Sequence, residues 1–281
     1  MTGKTVLITG GTSGIGQVAA EALAAKGARI VLVARDPARA EAALAQLRAK
    51  NSLAAHSVHY ADLSRVGEVK RVGAEIAARE PRIDILINNA GAVFSKRQVT
   101  EDDLEMTFAT NHAAYFVLTH VLRERLLAAA PARVISTASH AHKGMKLDFA
   151  DLQMAKGYSG FRAYGRSKLC NILFTRELAK TLAGTGVTAN SLHPGFVNTR
   201  FGDNSGPGIG TAIFGLLKNF ALSPQKGAET LIWLASAEAA GKVSGAYFHK
   251  CKEVTPSAEA RNDESARRLW QETAKLVGLE N

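Results

Sequence analysis

Val6-Leu7-Ile8-Thr9-Gly10-Gly11-Thr12-Ser13-Gly14-Ile15-Gly16 decides the fold of this 281-residue chain. A short apolar run enters a glycine-rich turn, and Gln17 to Lys26 follows with Ala and Leu at helical spacing, so the order is strand, turn, helix. Phosphate binding needs a turn free of Cβ atoms, so that backbone N–H groups and the positive end of a helix dipole can approach a pyrophosphate. Gly10, Gly14 and Gly16 supply that clearance, with Thr12, Ser13 and Ile15 between them. Glycines also make tight turns for packing alone, but the strand-to-helix context favours a nucleotide.

Outward from this unit, Gly27 reads as a helix stop, and Ile30 to Val33 is a β-branched run suited to a strand buried on both faces. Asp36-Pro37 reads as an N-cap followed by proline at the first helical position, opening a helix to about Lys50. Further strands are predicted at Ser57 to Tyr60, Ile83 to Ile87, Arg133 to Ser136, Val187 to Leu192 and Gly245 to Phe248. Helical patterns fall at Val66 to Arg79, Leu104 to Leu127, Ala163 to Leu182 and Glu259 to Val277. Repeated βα units predict an α/β chain, a Rossmann-type doubly wound parallel sheet with helices on both faces. With no repeat or interdomain linker, residues 1–281 form one predicted domain. Residues 143–160 and 201–215 break the rhythm after strands, where open α/β sheets bind ligands, and are the candidate substrate loops.

Hydrophobic residues make up 46% and charged residues 21%, which excludes disordered and fibrous classes. Cys170 and Cys251 lack zinc-site spacing and are too few to staple a secreted scaffold, so free thiols in a reducing compartment are expected. No stretch approaches the roughly 20 apolar residues of a membrane span, and no signal peptide opens the chain. Together these predict a cytoplasmic protein without an integral membrane segment. The net charge of +10 is spread along the chain without aromatic interleaving, so a solvated surface is favoured over a nucleic-acid interface, with some attraction left for an anionic cofactor or substrate.

Tyr164 and Lys168 stand four apart on a predicted helix and so share a face. A phenol with pKa near 10 is a poor base at neutral pH, and a neighbouring ammonium is one way to lower it. The glycine motif, Asp62-Leu63, Asn88-Asn89-Ala90-Gly91, Asn111, Ser139, Tyr164 with Lys168, and Pro194-Gly195 occur in one order along nearly the whole chain. In that combination the chain resembles the short-chain dehydrogenase/reductase family, whose glycine motif runs T-G-x-x-x-G-I-G. The resemblance implies hydride transfer with a nicotinamide dinucleotide, Tyr164 as general acid/base, Ser139 bonding the reacting oxygen, and Lys168 lowering the phenol's pKa while bonding the nicotinamide ribose. It implies for Asn111 a water relay to the lysine, against a plain structural hydrogen bond. Ser136 and Thr137 are rival hydroxyls that the alignment sets aside.

At the end of the second strand stand Ala34-Arg35-Asp36. An acid there selects NAD by the ribose 2′-OH, whereas an arginine pairs with the 2′-phosphate of NADP. The family alignment puts Ala34 at the acidic position and Arg35 at the basic one, so NADP(H) is the preferred cofactor, with NAD(H) the alternative. Asp62 is implied to bond the adenine amino group, with an N-cap as its other reading, and Leu63 to offer a backbone N–H. Asn89, Ala90 and Gly91 would line the adenosine ribose, and Pro194, Gly195, Val197 and Thr199 the nicotinamide. His140 with His142, and His56 with His59, are read as ordinary polar residues rather than metal ligands, for want of a third ligand at diagnostic spacing. Cys170 is read as a small buried residue.

Tyr164-Gly165-Arg166-Ser167-Lys168-Leu169-Cys170-Asn171, His193-Pro194-Gly195, and Tyr247-Phe248 with Cys251-Lys252 resemble the retinol dehydrogenase-like branch, which includes the WW-domain oxidoreductases. Many of its members begin with a membrane anchor, whereas Thr2-Gly3-Lys4 here runs straight into the first strand. The favoured substrate is a small-molecule alcohol or carbonyl compound. Reduction of an activated C=C bond, as in protochlorophyllide reductases, and a catalytically silent NADP(H)-sensing or interaction protein are the alternatives. The family makes a homodimer or homotetramer the expected assembly.

Overall fold

In a computed structural model, residues 1–196 and 222–279 are described. The strands are β1 (Thr5–Thr9), β2 (Arg29–Ala34), β3 (Ser57–Tyr60), β4 (Ile85–Asn88), β5 (Ala132–Thr137), β6 (Val187–Leu192), β7 (Tyr247–His249) and β8 (Lys252–Glu253). They form one sheet in the order β3-β2-β1-β4-β5-β6-β7-β8. All pairings are parallel except β7 with β8. The chain steps outward from β1 to β3, then returns to add β4 on the other side of β1. The crevice at the carboxyl ends of β1 and β4 is therefore the switch point of a doubly wound sheet.

Side chains alternate across a strand, so a parallel strand covered on both faces must be apolar at every position. In β1, Leu7 joins one core with Val31, Leu86 and Val134, while Val6 and Ile8 join the other with Ile30, Leu32, Ile87 and Ile135. The first core is covered by α3 (Val66–Arg79), α5 (Ala114–Val121) and α7 (Gly160–Thr181); the second by α1 (Gly14–Ala25), α2 (Pro37–Lys50) and α8 (Pro224–Ser236). A last helix, α9 (Asp263–Leu276), lies on α7 through Trp270, whose ring stacks on Phe174 at 5.8 Å.

Local chemistry explains most boundaries. Asp36 accepts from the Arg39 N–H and Pro37 opens α2, as expected. Asp62 does not cap α3: its Oδ1 accepts from the Ser64 N–H and hydroxyl, and the Val66 N–H is answered by Asp102 instead. The expected helix over 104–127 is broken. Glu105 caps a short α4 (Met106–Phe108) by accepting from the N–H groups of Thr107 and Phe108, a π-helical turn spans Ala109–Ala113, and α6 (Arg123–Leu127) follows α5. The last strand begins two residues later than expected and turns back into β8. The final helix starts at Asp263, where Asn262 caps it, after a separate 3₁₀ turn at Glu259–Arg261. Among the described residues no helix is long and apolar enough to cross a membrane.

Candidate active site

The glycine turn closes the end of β1 against the loop after β4. Gly10 has φ +67° and Gly14 +56°. A Cβ on Gly10 would lie 2.8 Å from Ala90 Cα, and one on Gly16 would collide with the Gly10 carbonyl oxygen. Backbone packs on backbone here, and only glycine allows it. Ser13 stands at the N-cap of α1 without capping it by its side chain, and no acidic residue lies in the first turn. An anion therefore meets no carboxylate in that turn, which suits a pyrophosphate.

Asn89 laces this end of the sheet. Its Nδ2 donates to the carbonyls of Thr9 (3.1 Å) and Gly10 (3.2 Å), and its Oδ1 accepts from Thr137 at the end of β5 (3.3 Å). The N–H groups of Asn89 and Ala90 both donate to the Thr9 hydroxyl. Tyr115 adds a bond from its hydroxyl to the Ala90 carbonyl at 2.8 Å. At the end of β2, Arg35 is 76% exposed and lies 3.9 Å from Asp62. Leu63 packs in part against the α3 side of the core.

The reactive group comes from β5 and α7. Ser139 follows β5, caps the 3₁₀ turn His140–His142, and hydrogen-bonds Tyr164 through its side chain. One turn further along α7, Lys168 is buried, with Nζ donating to the Thr137 carbonyl at 3.0 Å and lying 5.6 Å from the centre of the Tyr164 ring. Burial pushes the phenol up to about 12, with the Ser139 bond pulling the other way, and burial alone brings Lys168 down to about 7. Desolvation penalises both charged forms, and the lysine spends its bond on a carbonyl rather than on the phenol.

Asn111 sits fully buried in the π-helical turn. Its Oδ1 accepts from the Ala92 N–H at 2.8 Å, and its Nδ2 donates to the Ala92 carbonyl and to Ser167 Oγ, each at 3.0 Å. The side chain thus ties the loop after β4 to α7. Gly91 lies between Asn111 and Lys168: a Cβ there would be 3.2 Å from Asn111 Oδ1 and 3.4 Å from Lys168 Nζ.

After β6, Gly195 has φ +87° and donates its N–H to His193 Nδ1 at 3.2 Å beside Pro194. Val197, Thr199 and the loop 201–215 lie outside the described residues. The other candidate loop, 143–160, leads from the Ser139 turn to α7, and its Tyr158 hydroxyl bonds the Phe94 carbonyl at 3.0 Å.

Sequence reasoning missed an imidazole cluster. His193 stacks on His249 with ring centres 3.9 Å apart and meets His140 edge-on at 5.4 Å. Burial brings His193 down to about 3, helped by His249, His140, His142 and Lys143. His142 contacts the Ser139 carbonyl through Nδ1 at 2.7 Å, while Nε2 accepts from the Ser257 N–H at 3.2 Å. His56 Nδ1 accepts from the Ile30 N–H, and His59 pairs with Glu75. Among the described residues no group of three or more His, Cys, Asp or Glu side chains is arranged to hold a metal ion. The Cys170 thiol is buried and pushed up to about 12 by that burial.

Residues 4–209 match the family model described as short chain dehydrogenase. Retinol dehydrogenase 13 of Homo sapiens is 41% identical over 286 residues, covering 99% of this chain and 86% of its own. Among solved structures, an uncharacterized protein from Mycobacterium paratuberculosis superposes with TM-score 0.80 at 29% identity, covering 99% of this chain and 95% of its own. The RhlG/NADP active-site complex of Pseudomonas aeruginosa does so with TM-score 0.71 at 27% identity, covering 88% and 94%.

Proposed function

Because the chain belongs to the short chain dehydrogenase family, in its retinol dehydrogenase-like branch, and is an oxidoreductase acting on CH–OH donors, we propose that it interconverts an alcohol and its carbonyl compound with NADP(H), using Tyr164 as the general acid/base. The observation that carries this reading is the meeting of three groups from separate elements: the Ser139 hydroxyl on the Tyr164 phenol, with Lys168 buried one turn away.

The side-chain-free cradle of Gly10, Gly14 and Gly16, with the uncapped start of α1, fits a dinucleotide's pyrophosphate. Arg35 would meet the 2′-phosphate, Asp62 and Leu63 the adenine, Asn89 to Gly91 the adenosine ribose, and Pro194, Gly195, Val197 and Thr199 the nicotinamide. When bound, the nicotinamide supplies or accepts hydride at the carbon of the substrate. The partner step is proton transfer at the substrate oxygen, and it belongs to this chain. Tyr164, held protonated by its surroundings, gives its phenolic proton to the developing alkoxide during carbonyl reduction. Ser139 donates to the same oxygen as charge grows there. Alcohol oxidation runs the proton the other way and needs the phenolate, which a charged Lys168 stabilises. Asn111 holds the Ala92 loop beside Lys168, from where a water could return protons to solvent.

The test follows reduced nicotinamide by absorbance over a panel of alcohols, aldehydes and ketones that includes retinal, the panel's link to the relative's name. Wild type is expected to turn over at least one carbonyl, and Tyr164→Phe to lose at least about a hundredfold in kcat while still binding NADPH. Undiminished turnover in Tyr164→Phe would overturn the assignment. Turnover confined to conjugated C=C bonds would replace the reaction class.

A further inference from the structure

Lys168 is a buried amine, and among the described residues no carboxylate pairs with it. Burial brings it down to about 7, so its charged and neutral forms are close to balance at neutral pH. Among the described residues its hydrogen-bond partner is the Thr137 carbonyl at 3.0 Å, which answers one of the three ammonium donors. That oxygen also accepts Asn171 Nδ2 at 3.2 Å, so the lysine does not have it to itself. What faces Nζ otherwise is aromatic: the Tyr164 ring at 5.6 Å and the Tyr115 ring at 5.8 Å, each measured to the ring centre. An aromatic face carries the negative part of the ring's quadrupole and attracts a cation within about 6 Å, most strongly where water is excluded. Tyr164 already belongs to the reaction described above, whereas Tyr115 has no part in it.

Tyr115 stands near the start of α5 and is 1% exposed. Its ring is tethered at both ends, by the helix at Cβ and by the hydroxyl, which donates to the Ala90 carbonyl at 2.8 Å. Three residues earlier, His112 Nε2 lies 3.0 Å from the hydroxyl of Thr273 on α9, so the approach to α5 is held from the C-terminal helix as well. From the loop after β4 the lysine meets backbone, since a Cβ on Gly91 would lie 3.4 Å from Nζ. The titratable side chains that face Lys168 are thus two phenols, one on its own helix and one on α5. Burial raises both, Tyr164 to about 12 and Tyr115 well above the usual 10, so neither is ionised at neutral pH. They act on the lysine as neutral faces with no titration of their own in that range.

We propose that Tyr115 is a positioning residue of this site, a tethered aromatic face on α5 that favours the charged form of Lys168 and fixes where that charge sits. The inference rests on the reading of Lys168 as a working residue and deepens it. Alcohol oxidation needs the Tyr164 phenolate, which the ammonium stabilises, and a lysine so close to balance is charged only as far as its surroundings favour the cation. Taking away one of its two aromatic faces tips it towards the amine. Because the same phenol holds the Ala90 carbonyl, it also sets the lysine and the loop after β4 in one frame.

The experiment compares wild type, Tyr115→Phe and Tyr115→Leu, reading the titration of Lys168 by NMR of ¹³C-labelled lysine in the free protein, and kcat for alcohol oxidation. Tyr115→Leu removes the ring and is expected to lower the Lys168 midpoint by about half a pH unit. At about pH 7.5 this leaves roughly a third as much charged lysine, so oxidation should fall about threefold with KM unchanged. Tyr115→Phe keeps the aromatic face and is expected to keep the wild-type midpoint. An unchanged or raised midpoint in Tyr115→Leu overturns the proposal, and so does a Tyr115→Phe midpoint equal to that of Tyr115→Leu. Should Tyr115→Leu fail to fold, pentafluorophenylalanine at position 115 decides, because fluorination reverses the charge of the ring face at nearly constant size. A midpoint below that of Tyr115→Phe then supports the proposal, and an equal one overturns it. A wild type that shows the midpoint shift against Tyr115→Leu but turns over no substrate removes the proposed reaction and leaves the role of Tyr115 standing.

Discussion

Arg35 illustrates how a single residue is read from its place at a strand end. It follows β2 at the crevice, keeps most of its guanidinium in solvent, and among the described residues has a long, exposed pairing with Asp62 to give up. An exposed pair of that kind is worth little, whereas a guanidinium on a phosphate makes charge-assisted, often bidentate bonds. Arg35→Ala is therefore expected to weaken NADPH binding about tenfold or more while leaving NADH nearly unchanged, as read by fluorescence titration. Equal loss for both cofactors, or none, would remove Arg35 from cofactor selection. The glycine turn and the shared face of Tyr164 and Lys168 were legible from spacing within one turn or one helix, whereas Ser139 was singled out from Ser136 and Thr137 by the family resemblance alone. Tyr115, His193, His249 and Asn171 were not. Each acts through a partner from a distant part of the chain, as His249 does across 56 residues to the His193 carbonyl, and sequence spacing carries no trace of such a meeting.

At the scale of elements, periodicity placed β3, α3 and β6 where the structure has them; α3 buries one face through Val66, Val69, Val72 and Ile76, whereas β6 is buried at nearly every position and β3 only at His59. It failed over 104–127. The apolar run there reads as one helix whatever its internal hydrogen bonding, and nothing in that pattern reveals that Asn111 turns its amide onto Ala92 or that Glu105 starts a separate short helix. π-Helical turns often sit at functional sites, where they aim one side chain out of register. The β7–β8 hairpin was missed for a similar reason. Its two loop residues, Lys250 and Cys251, have φ +49° and +58°, a conformation for which Asn and Gly are the usual signal. Lys250 is exposed and pays the left-handed penalty without a glycine's freedom. Lys250→Asn is expected to stabilise the protein by about 0.5 kcal/mol, read as a higher thermal midpoint, since asparagine tolerates this region better. A lower midpoint would show that the lysine makes a compensating contact.

Burial lowers the proton affinity of several imidazoles in this molecule, and most of all that of His112 and His193, each brought down to about 3. In the unfolded chain a histidine takes up its proton near pH 6.5. Above that pH neither state binds the proton and stability is complete. As pH falls below it the unfolded chain gains protons that the folded chain refuses, and stability is lost progressively down to the folded value. By pH 5 the loss is expected to reach about 2 kcal/mol for each group, so the thermal midpoint should fall clearly between pH 7.5 and 5. A flat midpoint over that range would mean that one or both rings accept protons without unfolding. The net charge of +10 grows over the same interval and adds self-repulsion in the same direction.

The contact between Thr273 and His112 spans 161 residues, which has a consequence for synthesis. A ribosome delivers the chain from its N-terminus, and domains begin to organise before translation ends. The glycine cradle, the Asn89 lacing and the Tyr164 helix have all been made while α9 is still inside the exit tunnel. A nascent chain at that stage holds the parts for gripping a nucleotide, but the hydroxyl that answers His112 has not emerged. The residues that would grip a nucleotide are therefore made earlier during translation than the hydroxyl that meets His112.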